Sequence, residues 1–307
     1  MGRVFKIGTR DSQLAVWQAT LVKDLLQGQG HEAELVFIKS EGDTDLKTPL
    51  YEIGVQGIFT RALDIALLEG AIDIAVHSMK DVPTRLAEGI AQAAVLKRAS
   101  YKDIFVPKAD VAFMGDTYST ATIATSSTRR KAQWLNRYRN HTIDNLRGNV
   151  NTRLRKVRES EWQGAIFAAA GLERIGLRPE SAVDLEWMLP APAQGAIMVV
   201  CQEDDAAVLS ACSGFHDADT ALCVALERDY LRALMGGCAT PISALAEVSG
   251  DMVIFKGNIL SVDGTERVDV EQQAPVDKAH DLGKEAAATL LRSGGQKILD
   301  GIRNAGN

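Results

Sequence analysis

Cysteine is scarce in this chain of 307 residues, and the four present, Cys201, Cys212, Cys223 and Cys238, form no CxxC pair. No histidine stands beside them at metal-ligand spacing, so no structural zinc site or other bound metal is expected. A disulfide scaffold is not expected either, in a chain of this size without a secretion signal. Long apolar runs are missing as well. The opening MGRVFKIGTR holds neither a signal peptide nor a membrane span, and the closing GIRNAGN carries no lipidation or sorting signal. The expectation is a cytoplasmic protein with no membrane partner. The chain also lacks internal repeats, low-complexity linkers and any overall excess of positive charge. Its net charge of −6 argues against a general trap for polyanions.

What is present is ordinary in bulk and uneven in detail. With 46% apolar and 24% charged residues, the composition is that of a globular protein, and the length fits two or three domains. The cations are clustered. Thr125 to Arg158 holds ten Lys/Arg residues and a single acid, Asp144. Such a block is either a solvated helix face or a localised anion site.

Hydrophobic periodicity predicts alternating strands and helices. Val4 to Gly8 reads as a strand. A helix follows, with Leu14, Trp17, Leu21, Val22 and Leu25 on one face and Asp11 or Ser12 as its cap. Glu34 to Lys39 is a second strand, Phe59 to Glu69 a helix stopped at Gly70, and Ile72 to His77 a buried third strand. This β-α-β-α-β order predicts a parallel sheet with right-handed crossovers, and ligands in such sheets lie beyond the carboxyl ends of the strands. A second unit repeats the logic, with strands at Thr122 to Thr125, Thr142 to Leu146 and Gly164 to Ala169. Its helices run from near Arg129 and from Asn151 to Ser160. Asp103 to Val106 and Ala196 to Gln202 read as crossing strands that tie the two units into a cleft. From Asp217 onward the pattern is α+β. It comprises a helix at Ala218 to Met235, a hairpin turning at Asp263-Gly264 between Met252–Leu260 and Arg267–Gln272, and an amphipathic helix at Lys278 to Ser293. The expected domains are 1–98 with 196–215, 99–195, and 216–307.

The strand-end loops carry the chemistry. Thr125-Ser126-Ser127-Thr128 opens a helix whose first turn holds Arg129 and Arg130. Hydroxyls, free N–H groups and the positive helix end suit an anion there, while two arginines oppose the dipole unless an external carboxylate or phosphate sits among them. The plainer alternative is a capped surface helix with incidental arginines. Arg147-Gly148 and Arg153 follow the next strand, and Arg10 follows the first. Several arginines on one edge suit a ligand with several carboxylates, although each alone reads as a surface residue. Lys80-Asp81 pairs a cation with an acid that could stabilise developing positive charge, or could be a plain salt bridge. Cys238, after Gly236-Gly237, reads as a loop thiol available for attachment or nucleophilic chemistry, whereas Cys201, Cys212 and Cys223 read as core.

Six ordered segments then fit one pattern: IGTRDSQLAVWQA, DIAVHSMKDVP, TSSTRRKAQ, LRGNVNTRL, PAPAQGA and GGCATPI. Through them the chain resembles the hydroxymethylbilane synthases, or porphobilinogen deaminases, over nearly its whole length. The resemblance implies two lobes like type II periplasmic binding proteins plus a small C-terminal α+β domain. It implies a dipyrromethane cofactor bound through Cys238, four sequential deaminating condensations of porphobilinogen, and hydrolytic release of the linear tetrapyrrole. It implies a monomer that binds porphobilinogen and the growing pyrrole chain but no nucleic acid. Asp81 matches the family's catalytic carboxylate, which assists ammonia loss and stabilises the azafulvene cation. Arg10, Ser12, Lys80, Thr125, Ser126, Ser127, Arg129, Arg130, Arg147, Gly148 and Arg153 match positions that hold acetate and propionate groups or position the chain. Gln194 matches a hinge residue, and Phe59 is the kept aromatic of a glycine-rich loop. That loop departs from the family pattern, with Gln56 and Glu52 where lysines are common, so a differently arranged clamp is expected.

Two rival readings use the same residues. A solute-binding module would account for a cleft lined by arginines but leaves Cys238 unexplained. A nucleic-acid or phosphate binder would use Thr125 to Arg158, against the overall negative charge and without interleaved exposed aromatics.

Overall fold

The computed structural model describes residues 3–39, 60–234 and 240–305. Strand β1 (Phe5–Thr9), helix α1 (Gln13–Gly28) and strand β2 (Ala33–Phe37) open the chain. Ser12 is the cap of α1: its Oγ accepts from the Ala15 N–H at 3.4 Å, and the apolar stripe behind it buries Ala19, Val22 and Leu26. Helix α2 (Arg61–Leu68), strand β3 (Ile74–Ser78), a 3-10 turn at Met79–Asp81 and strand β4 (Ile90–Val95) follow. The next stretch holds β5 (Asp103–Pro107), β6 (Thr122–Ala124), α3 (Thr128–Arg137), β7 (Thr142–Asp144) and α4 (Val150–Glu159). It continues with β8 (Gly164–Ala168), α5 (Ala169–Glu173) and β9 (Val183–Asp184). The chain then returns through β10 (Ile197–Gln202) and α6 (Ala206–Ser213).

These strands make two five-stranded sheets, ordered β2-β1-β3-β10-β4 and β7-β6-β8-β5-β9. The β-α-β runs are parallel as the periodicity required, β1 with β2 and β3, and β6 with β7 and β8. Neither sheet is wholly parallel, however. β10 runs antiparallel between β3 and β4, and β5 runs antiparallel between β8 and β9. These are the two crossing strands. Each is reached from the other sheet rather than through a β-α-β crossover within its own. β4 was not expected: its sequence, IAQAAV, is rich in alanine and weak in the β-branched residues that mark strands.

Each sheet is buried on both faces. Phe5, Ile7, Ile74 and Val199 pack under α1 and α6, and Ala75, Met79, Val95 and Met198 face α2. In the second unit, Val157, Phe167 and Leu172 fill one face and Trp134, Tyr138 and Phe105 the other. Cys201, Cys212 and Cys223 are buried and unbridged, as expected. Burial pushes their thiols up to about 11, 12 and 11 respectively, which leaves them inert at neutral pH.

The last part of the chain packs helix α7 (Ala218–Ala233) on a three-stranded antiparallel sheet of β11 (Ile242–Ser249), β12 (Met252–Leu260) and β13 (Arg267–Pro275). The Asp263-Gly264 turn closes the hairpin between β12 and β13 as predicted, and its tip docks on α3, where Asn136 Nδ2 donates to the Gly264 carbonyl at 2.8 Å. The single amphipathic helix expected over 278–293 is instead segmented. A 3-10 turn at Val276–Asp281 leads into α8 (Leu282–Leu290), and a π-type turn at Leu291–Gly295 leads into α9 (Gln296–Ala305). The helical run breaks at Gly294, one residue past the expected end at Ser293, where φ is +110°, which no helix accommodates. No helix among the described residues is long and apolar enough to cross a membrane.

Candidate active site

The carboxyl ends of the parallel strands of both sheets face one cleft of about 630 Å³. The loop after β1 brings Arg10 and Ser12, and the turn after β3 brings Lys80 and Asp81. The loops after β6 and β7 bring Thr125, Ser126, Ser127, Arg129 and Arg130, then Arg147, Gly148 and Arg153. Gln194 lines the cleft from the returning crossover. Every expected site residue therefore converges on one cavity, apart from Phe59 and Cys238, which lie outside the described residues. Among the described residues, Arg10, Lys80, Arg129, Arg130, Arg147, Arg153 and Arg174 make seven lining cations, against two lining acids, Asp11 and Asp81.

The hydroxyl cluster divides its labour. Ser127 caps α3, accepting from the Arg130 N–H at 3.4 Å. Ser126 Oγ instead braces the neighbouring loop, donating to the Leu146 carbonyl at 2.6 Å and accepting from the Leu146 N–H at 2.9 Å. Gly148 is needed as glycine: its φ is +114°, and a Cβ there would sit 2.7 Å from Thr152 Cγ2. Its carbonyl accepts from Arg153 Nε at 2.7 Å, which aims that guanidinium along the cleft. Desolvation, with the charge of Arg130 behind it, lowers Arg153 to about 10, still protonated at neutral pH.

Arg129 and Arg130 correct one expectation. Their counter-charge is internal. Asp103, wholly buried at the start of β5, lies 2.7 Å from Arg129 Nη1 and accepts from Arg130 Nη2 at 2.7 Å and Nε at 3.0 Å. Despite its burial, the two guanidiniums hold the Asp103 carboxyl well below the usual carboxylate range. Two cations against one anion leave a net positive charge, and Arg129 Nε finds no partner among the described residues.

Gln194 ties this cluster to the other sheet. Its Nε2 donates to Asp103 Oδ1 at 2.9 Å and to the Tyr101 carbonyl at 2.7 Å, while its Oε1 accepts from Lys80 Nζ at 3.4 Å. Desolvation in the cleft pulls Lys80 down to about 8, partly offset by Asp81. Asp81 itself is exposed to the cleft. The crossover that carries Gln194 is tightly constrained. Ala193 holds φ +61°, rare for a residue with a side chain, and its N–H donates to the buried carboxylate of Glu227 at 2.6 Å. At Gly195, with φ +88°, a Cβ would meet two backbone oxygens at 2.7 Å.

Sequence reasoning missed three of these groups. Asp103 was read only as the first residue of a strand, yet a carboxylate opening an apolar run signals a buried partner. Arg174, stacked 5.8 Å from the Trp17 ring and donating to the Gly195 carbonyl at 2.7 Å, follows a helix too short to show periodicity. Glu227 lies on a helix whose pattern gave no hint of function. It accepts from Arg98, at 2.6 and 3.1 Å, and from the Ala246 N–H at 2.8 Å.

His77, beneath the site near the end of β3, is buried with Nε2 unpartnered among the described residues. Desolvation, and then Arg10, pulls it from 6.5 down to about 4, so it is neutral in the folded protein at pH 7. The unfolded chain takes up a proton below pH 6.5 and the folded chain only near pH 4. Stability present above pH 6.5 is therefore lost between those values, by about 3 kcal/mol at about 1.4 kcal/mol per pH unit. Urea unfolding across pH 4–7 should show this loss in the wild type and a flatter curve in His77→Leu, and parallel curves would remove His77 from that role.

Residues 5–210 match the family described as "Porphobilinogen deaminase, dipyromethane cofactor binding domain", and residues 221–292 match the porphobilinogen deaminase C-terminal domain. The chain belongs to the porphobilinogen deaminase family. It is 41% identical to the porphobilinogen deaminase of Trichlorobacter lovleyi over 301 residues, 97% of this chain and 96% of that one. To that of Geobacter sulfurreducens it is 42% identical over 302 residues, 96% of this chain and 93% of the relative. Among solved structures it is similar to a periplasmic substrate-binding protein of an ABC transporter from Coxiella burnetii, with 14% identity, a TM-score of 0.43, and coverage of 71% of this chain and 94% of that one. The methionine-binding protein MetQ is similar at 14% identity and a TM-score of 0.43, covering 70% and 91%. As a porphobilinogen deaminase the chain is a transferase, a hydroxymethylbilane synthase, and its cofactor is dipyrromethane. The two rival readings, a binding module and a nucleic-acid binder, give way to that assignment.

Proposed function

We propose that this enzyme condenses porphobilinogen units on a dipyrromethane held by Cys238, with Asp81 as its catalytic carboxylate. The observation that supports this most is the charge of the cleft: among the described residues, seven cations and two acids line the wall, and Asp103 behind it offsets one of the seven. Each pyrrole ring of the chain brings two carboxylates, and guanidinium forks are the groups best shaped to receive them. The unpartnered, buried Arg129 Nε is a donor that such a carboxylate satisfies. Thr240, two residues after Cys238 in the sequence, lines the same cleft. When bound, the dipyrromethane supplies the electron-rich pyrrole carbon to which the next unit is joined.

The protein's own groups do the rest. Arg10, Lys80, Arg147 and Arg153 bind and orient acidic side chains, and Ser12, Thr125, Ser126, Ser127 and Gly148 shape the loops on which they stand. Arg129 and Arg130, locked by Asp103, hold positive charge at a fixed place. Gln194 joins Lys80 to Asp103 across the crossover. Asp81 accepts pyrrole N–H donors on its carboxylate oxygens and stabilises positive charge that develops as ammonia departs. Phe59 completes the substrate side. We place the domain limits at 1–98 with 196–215, 99–195 and 216–307, and the enzyme in the cytoplasm as a monomer.

Intact-mass spectrometry tests the tether. The purified protein should carry a dipyrrole adduct that maps to the peptide containing Cys238, should colour with Ehrlich's reagent, and should lose both properties in Cys238→Ser. A folded, active and unmodified wild-type protein would sink the proposal.

A further inference from the structure

Arg228 is a buried guanidinium on α7 (Ala218–Ala233), 7% exposed, and forms no ion pair among the described residues. Its partners are main-chain oxygens instead. Nη1 donates to the Val82 carbonyl at 3.0 Å and to the Met79 carbonyl at 3.4 Å, and Nη2 donates to the Pro83 carbonyl at 2.5 Å. These oxygens bracket the 3-10 turn Met79–Asp81, the segment that presents Lys80 and Asp81 to the cleft. Burying a guanidinium without a carboxylate is costly, and the planar fork recovers that cost only where several acceptors lie in its plane. The turn has other anchors, namely the burial of Met79 and Val82 in the core and the Lys80–Gln194 hydrogen bond, but its main chain makes few. Val82 N–H closes on the Met79 carbonyl at 3.2 Å, and Met79 N–H reaches the Ala196 carbonyl at 3.0 Å. The preceding residue on the helix, Glu227, grips the adjoining crossover, taking the N–H of Ala193 beside Gln194. In the sequence, α7 ends five residues before Cys238.

We propose that Arg228 is a positioning residue: it fixes the Met79–Pro83 turn to the helix that leads to the tether, and so sets where the Asp81 carboxylate stands relative to the bound pyrrole chain. The proposal rests on the reading of Asp81 as the catalytic group. It follows that α7 holds the acid and the crossover glutamine in one frame, Arg228 on one side and Glu227 on the other. A misplacement of about 1 Å at a reacting group costs up to about 100-fold in rate, so a loosened turn is felt in kcat before it is felt in binding.

The test compares Arg228→Met, Arg228→Lys, Asp81→Asn and the double variant Arg228→Met/Asp81→Asn, each as holoenzyme with its adduct verified by mass. Arg228→Met should lower kcat by about tenfold or more, with KM within about twofold. Arg228→Lys, with a single ammonium in place of the fork, should recover most of that loss yet stay a few-fold below wild type. The double variant should be no slower than Asp81→Asn in single-turnover measurements, because Arg228 acts through Asp81. Should Arg228→Met not fold, Arg228→Lys carries the kcat and KM comparison alone. Wild-type kcat in a folded Arg228 variant overturns the proposal, as does a loss that multiplies onto Asp81→Asn. Undiminished turnover in Asp81→Asn would instead remove Asp81 from its assigned role, a separate result.

Discussion

Asp81→Asn should fold, keep its adduct and its thermal stability, and lose turnover by about 10²- to 10⁴-fold, the range for removing a single positioned acid–base or charge-stabilising group. The reasons are local. Asp81 is exposed to the cleft, so no buried contact is lost with its charge. The asparagine retains shape and one acceptor oxygen, but cannot offset developing positive charge among seven cations. Binding should hold or tighten, because removing an anion makes the cleft more positive toward carboxylates. The check is kcat and KM on the holoenzyme beside its unfolding midpoint. Turnover within a few-fold of wild type would transfer the catalytic role elsewhere.

Asp103→Ala should have the largest effect on the fold. Asp103 is wholly buried and serves both Arg129 and Arg130, so its removal strands two guanidiniums in a low-dielectric interior. Breaking a buried pair in this way costs about 3–5 kcal/mol. Gln194 loses an acceptor at the same time, which frees the crossover that it ties to Lys80. Urea unfolding should show the loss, and adduct loading should fall because Arg129 and Arg130 no longer stand in place. The pH dependence has a fixed sign. Because the two arginines depress the carboxyl in the folded state, the stability Asp103 contributes is present above the ordinary Asp range near 3.8 and is lost as pH falls below it. A variant within about 1 kcal/mol of wild type, with the same acid limb, would remove Asp103 from this position.

Much of the site was legible because its chemistry sits on strand-end loops, where local signals are strong. The sequence pattern narrows the caps to Asp11 or Ser12 and to Ser126-Ser127-Thr128, and the structure places them at Ser12 and Ser127. Arg10, Arg147 and Arg153 each follow a strand that hydrophobic periodicity located within a residue or two, and a parallel sheet sends all such loops to one edge. Less legible were the elements whose patterns are weak. β4 is alanine-rich, and β11 was not read as a strand although Gly236-Gly237 and Pro241 precede it. Arg129 and Arg130 show the limit most clearly. The sequence reports two cations at a helix start, which is unfavourable in isolation, but it cannot report that the compensating carboxylate lies 26 residues upstream of Arg129.

By itself, then, the sequence determined the strand and helix periods, the caps, the inert cysteines and the motifs that mark the family, because each depends on residues close together in the chain. The tertiary structure decided which charges neutralise one another. The antiparallel entry of β5 and β10, the pairing of Asp103 with two arginines, and the grip of Glu227 on the crossover and of Arg228 on the Met79–Pro83 turn all join residues far apart in sequence. Their energies depend on distance and burial, and neither quantity exists until the two sheets have closed on each other.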